Sequence, residues 1–149
     1  MVRLVTAIFA LAVAGCGGSP TGPDSDVPGY QGVWQGTWVK ASCIGAACDI
    51  VPPSGGLRLT LAQSGSQVQG TVELATFVIP ASGNVNSNGA LSLAGTTSQG
   101  GATATLSNWT TTRTGNSLSG GFTLTILPDD PQIGPQTVGI TLQNVTRTS

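Results

Sequence analysis

The chain has 149 residues, one domain's worth, and only 7% of them are charged, against about 25% in an average soluble domain. It contains no His, 22 Gly and a net charge of −1, so no Ser-His or Cys-His nucleophile pair and no imidazole metal site can be built. The lack of a basic patch removes the phosphate attraction on which nucleic-acid binding depends, and a hydrophobic content of 39% opposes wholesale disorder.

Residues 1–15 read as a signal peptide. Arg3 is the positive start, and Leu4 to Val13 is apolar apart from Thr6. That run suits a signal and falls short of the roughly 20 residues of a membrane span. It ends in Val13-Ala14-Gly15-Cys16, which resembles the bacterial lipobox; an ordinary secretory signal with a chance Cys is the competing reading. The resemblance implies cleavage before Cys16 and acylation of that residue, palmitate included. It implies a protein held to the cell envelope by lipid, since two or more chains anchor stably where one does not. Gly17 rather than Asp follows the Cys, which by the same resemblance implies the outer membrane where the host has one. Residues 16–29 are a Gly/Ser/Pro/Asp stretch with little to bury, so they are expected to form a flexible tether between lipid and domain.

Three Cys stand at 16, 43 and 48. With Cys16 lipidated, Cys43 and Cys48 remain as an even pair in an exported chain, where disulfides persist. Such a bond would close a short loop and contribute roughly 2 kcal/mol. A two-thiolate metal site is the rival; it lacks His and the usual ligand spacing.

From residue 30 to 149 the hydrophobic period is two. Leu57-Arg58-Leu59-Thr60-Leu61, Val72-Glu73-Leu74, Phe122-Thr123-Leu124-Thr125-Ile126 and Val138-Gly139-Ile140-Thr141-Leu142 all alternate. Turn signals separate the runs, among them Ser64-Gly65-Ser66, Gly100-Gly101 and Thr114-Gly115-Asn116. The pattern predicts strands near 32–41, 57–64, 67–74, 76–85, 90–97, 102–112, 116–127 and 136–147, with irregular chain at 42–56 and 128–135. Short connections pair sequence neighbours as antiparallel hairpins. An eight-stranded up-and-down β-barrel follows, because closure removes the two raw edges. A β-sandwich is the alternative. The polar outward face, rich in Thr, Gln and Ser, opposes a barrel that spans a membrane.

Gly32-Val33-Trp34 on the first strand resembles the lipocalins, and Gly36-Thr37-Trp38 resembles the avidins. The hairpin Leu59 to Val72, with its Gln63-Ser64-Gly65-Ser66 turn, resembles small bacterial barrel lipoproteins. The likeness implies a barrel whose last strand lies beside its first. It places Arg147 across Trp34 as a barrel-closing pair, a cation–π contact worth about 0.5–1 kcal/mol if exposed. A solvated Arg147 is the bland alternative. Biotin binding is not expected, because the avidin pocket needs more aromatic and polar side chains than this chain supplies.

Trp38, Phe77, Trp109 and Phe122 are the candidate ligand-binding residues, lining the barrel interior; the competing reading packs them as core. Glu73 lies between Val72 and Leu74 and is expected to point to solvent. Asp129-Asp130 between two prolines reads as a turn, without the ordered oxygen ligands of a calcium site. Asn108-Trp109-Thr110 and Asn144-Val145-Thr146 match the glycosylation acceptor pattern, a match that a bacterial lipobox makes incidental. No cofactor, metal or catalytic residue is expected. The leading expectation is a non-enzymatic, lipid-anchored envelope protein, a lipocalin-like carrier of a small apolar molecule; the alternative is a protein-interaction or protease-inhibitor module of the envelope working through the N-terminal segment or the 42–56 loop. An enzyme is disfavoured by the absent His and unclustered carboxylates.

Overall fold

A computed structural model describes residues 27–149. The lipidation residue Cys16, the signal segment 1–15 and the first part of the tether lie outside the described residues.

Eight strands make the fold: β1 (Gly32–Ile44), β2 (Ser54–Ser64), β3 (Gln67–Leu74), β4 (Phe77–Val85), β5 (Leu91–Gln99), β6 (Ala102–Thr114), β7 (Ser117–Pro128) and β8 (Gln136–Arg147). They hydrogen-bond in sequence order, and β8 closes on β1, giving a closed antiparallel barrel. Closure excludes the sandwich. Among the described residues the only helical piece is a single 3-10 turn, Cys48–Ile50, in the β1–β2 connection.

Up-and-down order gives the barrel two ends. The base holds the entering chain at Val27, the β2–β3, β4–β5 and β6–β7 turns, and the C-terminus. The rim holds the β1–β2, β3–β4, β5–β6 and β7–β8 connections.

Alternation along each strand fills the barrel. Leu57, Leu59 and Leu61 of β2, Val72 and Leu74 of β3, and Val138, Ile140 and Leu142 of β8 are all buried, as part of one contiguous apolar cluster. A period-two pattern survives only if the register is corrected where strands coil, since a slip of one residue turns every side chain outward. Bulges do this. On β6 the inward set is Ala104 and Leu106, then Trp109 and Thr111, with the parity changing at Asn108. On β8 it runs from Leu142 to Val145, changing at Asn144. Both asparagines have left-handed backbone, φ 50° and 51°, which Asn tolerates better than most residues. The two Asn-x-Thr matches are therefore bulge signatures.

The first two strands run further than the alternation suggested. β1 continues to Ile44 and β2 begins at Ser54, so the irregular stretch shrinks to 45–53. A bulge between Lys40 and Ser42 breaks the alternation there, which is why the continuing strand is hard to see in sequence.

The β4–β5 pairing covers only Ala81–Val85 against Leu91–Gly95. Beyond Gly95, β5 pairs with β6. The Val78 N–H faces β5 and donates to Gln99 Oε1 at 2.9 Å. By alternation the next donor slot on that side belongs to Pro80, which has no N–H. The seam between the upper halves of β4 and β5 opens at this residue.

Candidate functional site

The base is a dense polar closure. Tyr30 is fully buried, and its hydroxyl donates to Gly89 O at 2.7 Å and to Thr111 O at 3.3 Å. Its backbone carbonyl accepts from Trp34 Nε1 at 2.7 Å, and its N–H donates to Gln63 Oε1 at 2.6 Å. Gln63 Nε2 also donates to Pro28 O at 3.1 Å. Arg113 donates to the carbonyls of Gly29 and Gly115. Its Cζ sits 5.6 Å from the Trp34 ring centroid, and that of Arg147 sits 6.0 Å away. Two guanidinium groups thus cover one indole. Burial pushes the Tyr30 phenol above its ordinary pKa, against an opposing pull from backbone hydrogen bonds and the Arg113 charge. Val27 packs on the core cluster. Residues 27–29, read from sequence as the end of the tether, are docked on the barrel.

The four candidate ligand-binding residues do not share one site. Trp109 and Phe122 stack on each other, centroids 4.5 Å apart and planes 12° from parallel. Both are buried, and the Trp109 indole N–H donates to Thr111 Oγ1 at 3.0 Å. Phe77 stands half-buried at the rim end of β4, against the edge of the core. Trp38 is buried over Gly55 of β2, so close that a Cβ on Gly55 would lie 2.8 Å from its Nε1. That indole nitrogen has no hydrogen-bond partner among the described residues. Surface grooves of about 740, 660 and 400 Å³ run over the outer wall around Gln69, Pro80 and Arg58; none is lined by these four rings.

The rim is built differently from the base. Cys43 and Cys48 are joined, S–S 2.05 Å, stapling the β1–β2 loop. Lys40 Nζ holds the same loop, donating to Val51 O at 2.8 Å and Cys48 O at 3.2 Å. Val51 packs against the core from above. The neighbouring β7–β8 loop touches it: a Cβ on Gly45 would lie 2.6 Å from Pro135 O, and φ there is +140°. Only a glycine fits that contact. The loop is rigidly held, yet Ile44 and Ile50 are each 75% exposed on it. Leu127 and Ile133 are exposed at the end of β7 and in the following loop, and Val78 beside the β3–β4 turn. Asp49, Asp129 and Asp130 stand exposed among them.

Sequence reasoning missed Tyr30, Arg113, Lys40 and the rim isoleucines. The last left a trace in the sequence: two large apolar residues flank or sit within a Cys-bounded loop that has no alternation to bury them.

These features define a closed, side-chain-filled up-and-down β-barrel with a sealed base and an apolar, acidic rim. No family model, curated protein or solved structure matches the chain.

Proposed function

We propose that this chain is a non-enzymatic, lipid-anchored protein of the cell envelope that acts as a binding module, engaging a protein partner through its rim. The observation that carries the reading is the distribution of exposed large apolar side chains. Among the described residues, Ile44, Ile50, Val78, Leu127 and Ile133 all belong to the rim end. The confinement of these five side chains to one end favours that end as an interaction surface. The described chain enters at the base, the end opposite the rim. The absence of His supports a non-catalytic role.

Two experiments test this reading. Cys16→Ala should abolish palmitate incorporation and release the protein from envelope membranes; unchanged membrane association would refute the anchor. Photo-crosslinking residues placed at Ile50 and Ile133 should capture a partner protein in living cells, whereas residues placed at Asn116 should not. Capture from Asn116 alone, or from none of these positions, would refute the rim.

The carrier reading retains one supporting observation, the buried and unpartnered Trp38 N–H below the half-buried Phe77 and Ile126. An apolar molecule with one acceptor atom would satisfy it. Native mass spectrometry of the protein purified from its host should show retained mass on this reading, and bare protein against it.

A further inference from the structure

The rim residues also carry information about the partner. Its apolar residues stand on prefixed loops. The disulfide and the two Lys40 hydrogen bonds hold residues 45–53, and Gly45 against Pro135 ties that loop to the next. Fixing a loop in its bound shape lowers the entropy lost on association. A loop fixed only for stability would have no reason to hold Ile44 and Ile50 in water.

The charges are segregated as well. Of the four acidic side chains among the described residues, Asp49, Asp129 and Asp130 lie in the rim connections. The cations on that half of the barrel are Lys40, which already donates to two loop carbonyls, and Arg58 on the β2 wall, which stands in register with Glu73. Arg113 and Arg147 lie at the opposite end, over Trp34. The rim is therefore an aliphatic surface set in negative potential. Such a surface repels an anionic bilayer and a second rim of the same kind. It attracts a surface that offers aliphatic side chains among lysines and arginines, since complementary potential steers encounter and excludes wrong partners.

Resting on the module reading above, we infer that the rim docks a cationic, amphipathic protein segment, with Ile44, Ile50 and Ile133 in apolar contact and Asp49 and Asp129 pairing its basic side chains.

The test uses the full protein extracted from its host in mild detergent. The probe is a dye-labelled amphipathic peptide of Lys and Leu, with a Glu and Leu peptide as the charge control. Fluorescence anisotropy should show binding of the Lys peptide only. Its affinity should fall roughly tenfold between low and moderately high salt, because exposed charge pairs are screened. The double variant Asp49→Asn/Asp129→Asn should weaken binding at least about fivefold, and Ile44→Ser/Ile50→Ser by a similar factor. Thr112→Asp/Ser119→Asp, which adds carboxylates on the wall near the base, should leave affinity within about twofold. All three substituted pairs are at exposed positions, and a circular dichroism melt checks that each variant folds.

The inference is overturned if the Lys peptide does not bind, if the rim variants bind it as well as the parent does, or if the base carboxylates strengthen binding as much as the rim ones. It is also overturned if the rim variants instead disrupt self-association or binding to phosphatidylglycerol vesicles. Rim crosslinks to an acidic protein, with no peptide binding, would overturn the partner chemistry and leave the module reading standing. Loss of all rim crosslinks would remove the module reading itself.

Discussion

Tyr30 shows how one side chain can join two parts of a chain that sequence keeps apart. Its hydroxyl reaches the β4–β5 turn at Gly89 and β6 at Thr111, and its carbonyl serves Trp34. Removing that hydroxyl in Tyr30→Phe should cost about 1 kcal/mol in a urea melt, the net worth of a hydrogen-bonded group whose partners remain buried. The raised phenol pKa also sets a pH dependence. The folded state holds the proton more tightly than the unfolded chain, so the contribution is complete below the ordinary tyrosine pKa of about 10. It is lost as pH rises beyond that, through the folded value. Melting temperatures measured from neutral to strongly alkaline pH should fall more steeply for the parent than for Tyr30→Phe. Arg113→Ala should destabilise more than Arg147→Ala, because Arg113 holds Gly29 and Gly115 as well as covering Trp34. Arg147 adds only a bond to Ser149 O at 3.3 Å. None of this was legible from spacing. Gly29 and Arg113 are 84 residues apart, and nothing in either local pattern signals the other. The Trp34–Arg147 placement was implied by the resemblance to lipocalins, beside the reading of a solvated Arg147, and the guanidinium does lie 6.0 Å from the ring centroid.

At the scale of the element, the sequence was most informative where side chains alternate without interruption. β3 and β8 run as the pattern predicts, Gln67–Leu74 and Gln136–Arg147, because each follows a strong turn signal, Ser64-Gly65-Ser66 and Gly134-Pro135. Strand ends at bulges were less visible. The bulge at Lys40/Ser42 and those at Asn108 and Asn144 change which parity faces inward, so a fixed period of two loses its meaning there. Inward glycines are a second such device. At Gly83 a Cβ would collide with Ser92 O of β5, so the missing side chain lets the wall of the barrel bend sharply toward its neighbour. Gly83→Ala should therefore cost more than the 1–3 kcal/mol typical of ordinary overpacking, as read from a denaturant midpoint. The disulfide works at this scale too. Cys43→Ser/Cys48→Ser should lower stability by roughly 2 kcal/mol. The larger change should be local: faster hydrogen exchange and proteolysis across 45–53, with little change in β3 to β6. The staple closes a loop between residues five apart, so it constrains that loop far more than the sheet.

At the scale of the molecule, a chain with few charges and no His has become a barrel whose ends differ. Its interior is occupied by leucines, valines and stacked rings. Its base is sealed by the entering chain, and its rim displays stapled isoleucines among carboxylates. The alternation foretold the barrel, with Thr, Ser and Gln on its outer wall, but it left a packed and an open interior as competing readings. It did not foretell the polarity between the ends, because that depends on which connections face the same way, and only topology decides this. The proposed working surface is the rim. Hydrogen exchange on the protein in intact envelope membranes, compared with the purified protein in detergent, tests that most directly. Slower exchange in the envelope, confined to residues 44–53 and 127–135, is the predicted result. Identical exchange in both settings, or slowing confined to the base at 27–31, 86–90 and 114–116, would contradict it.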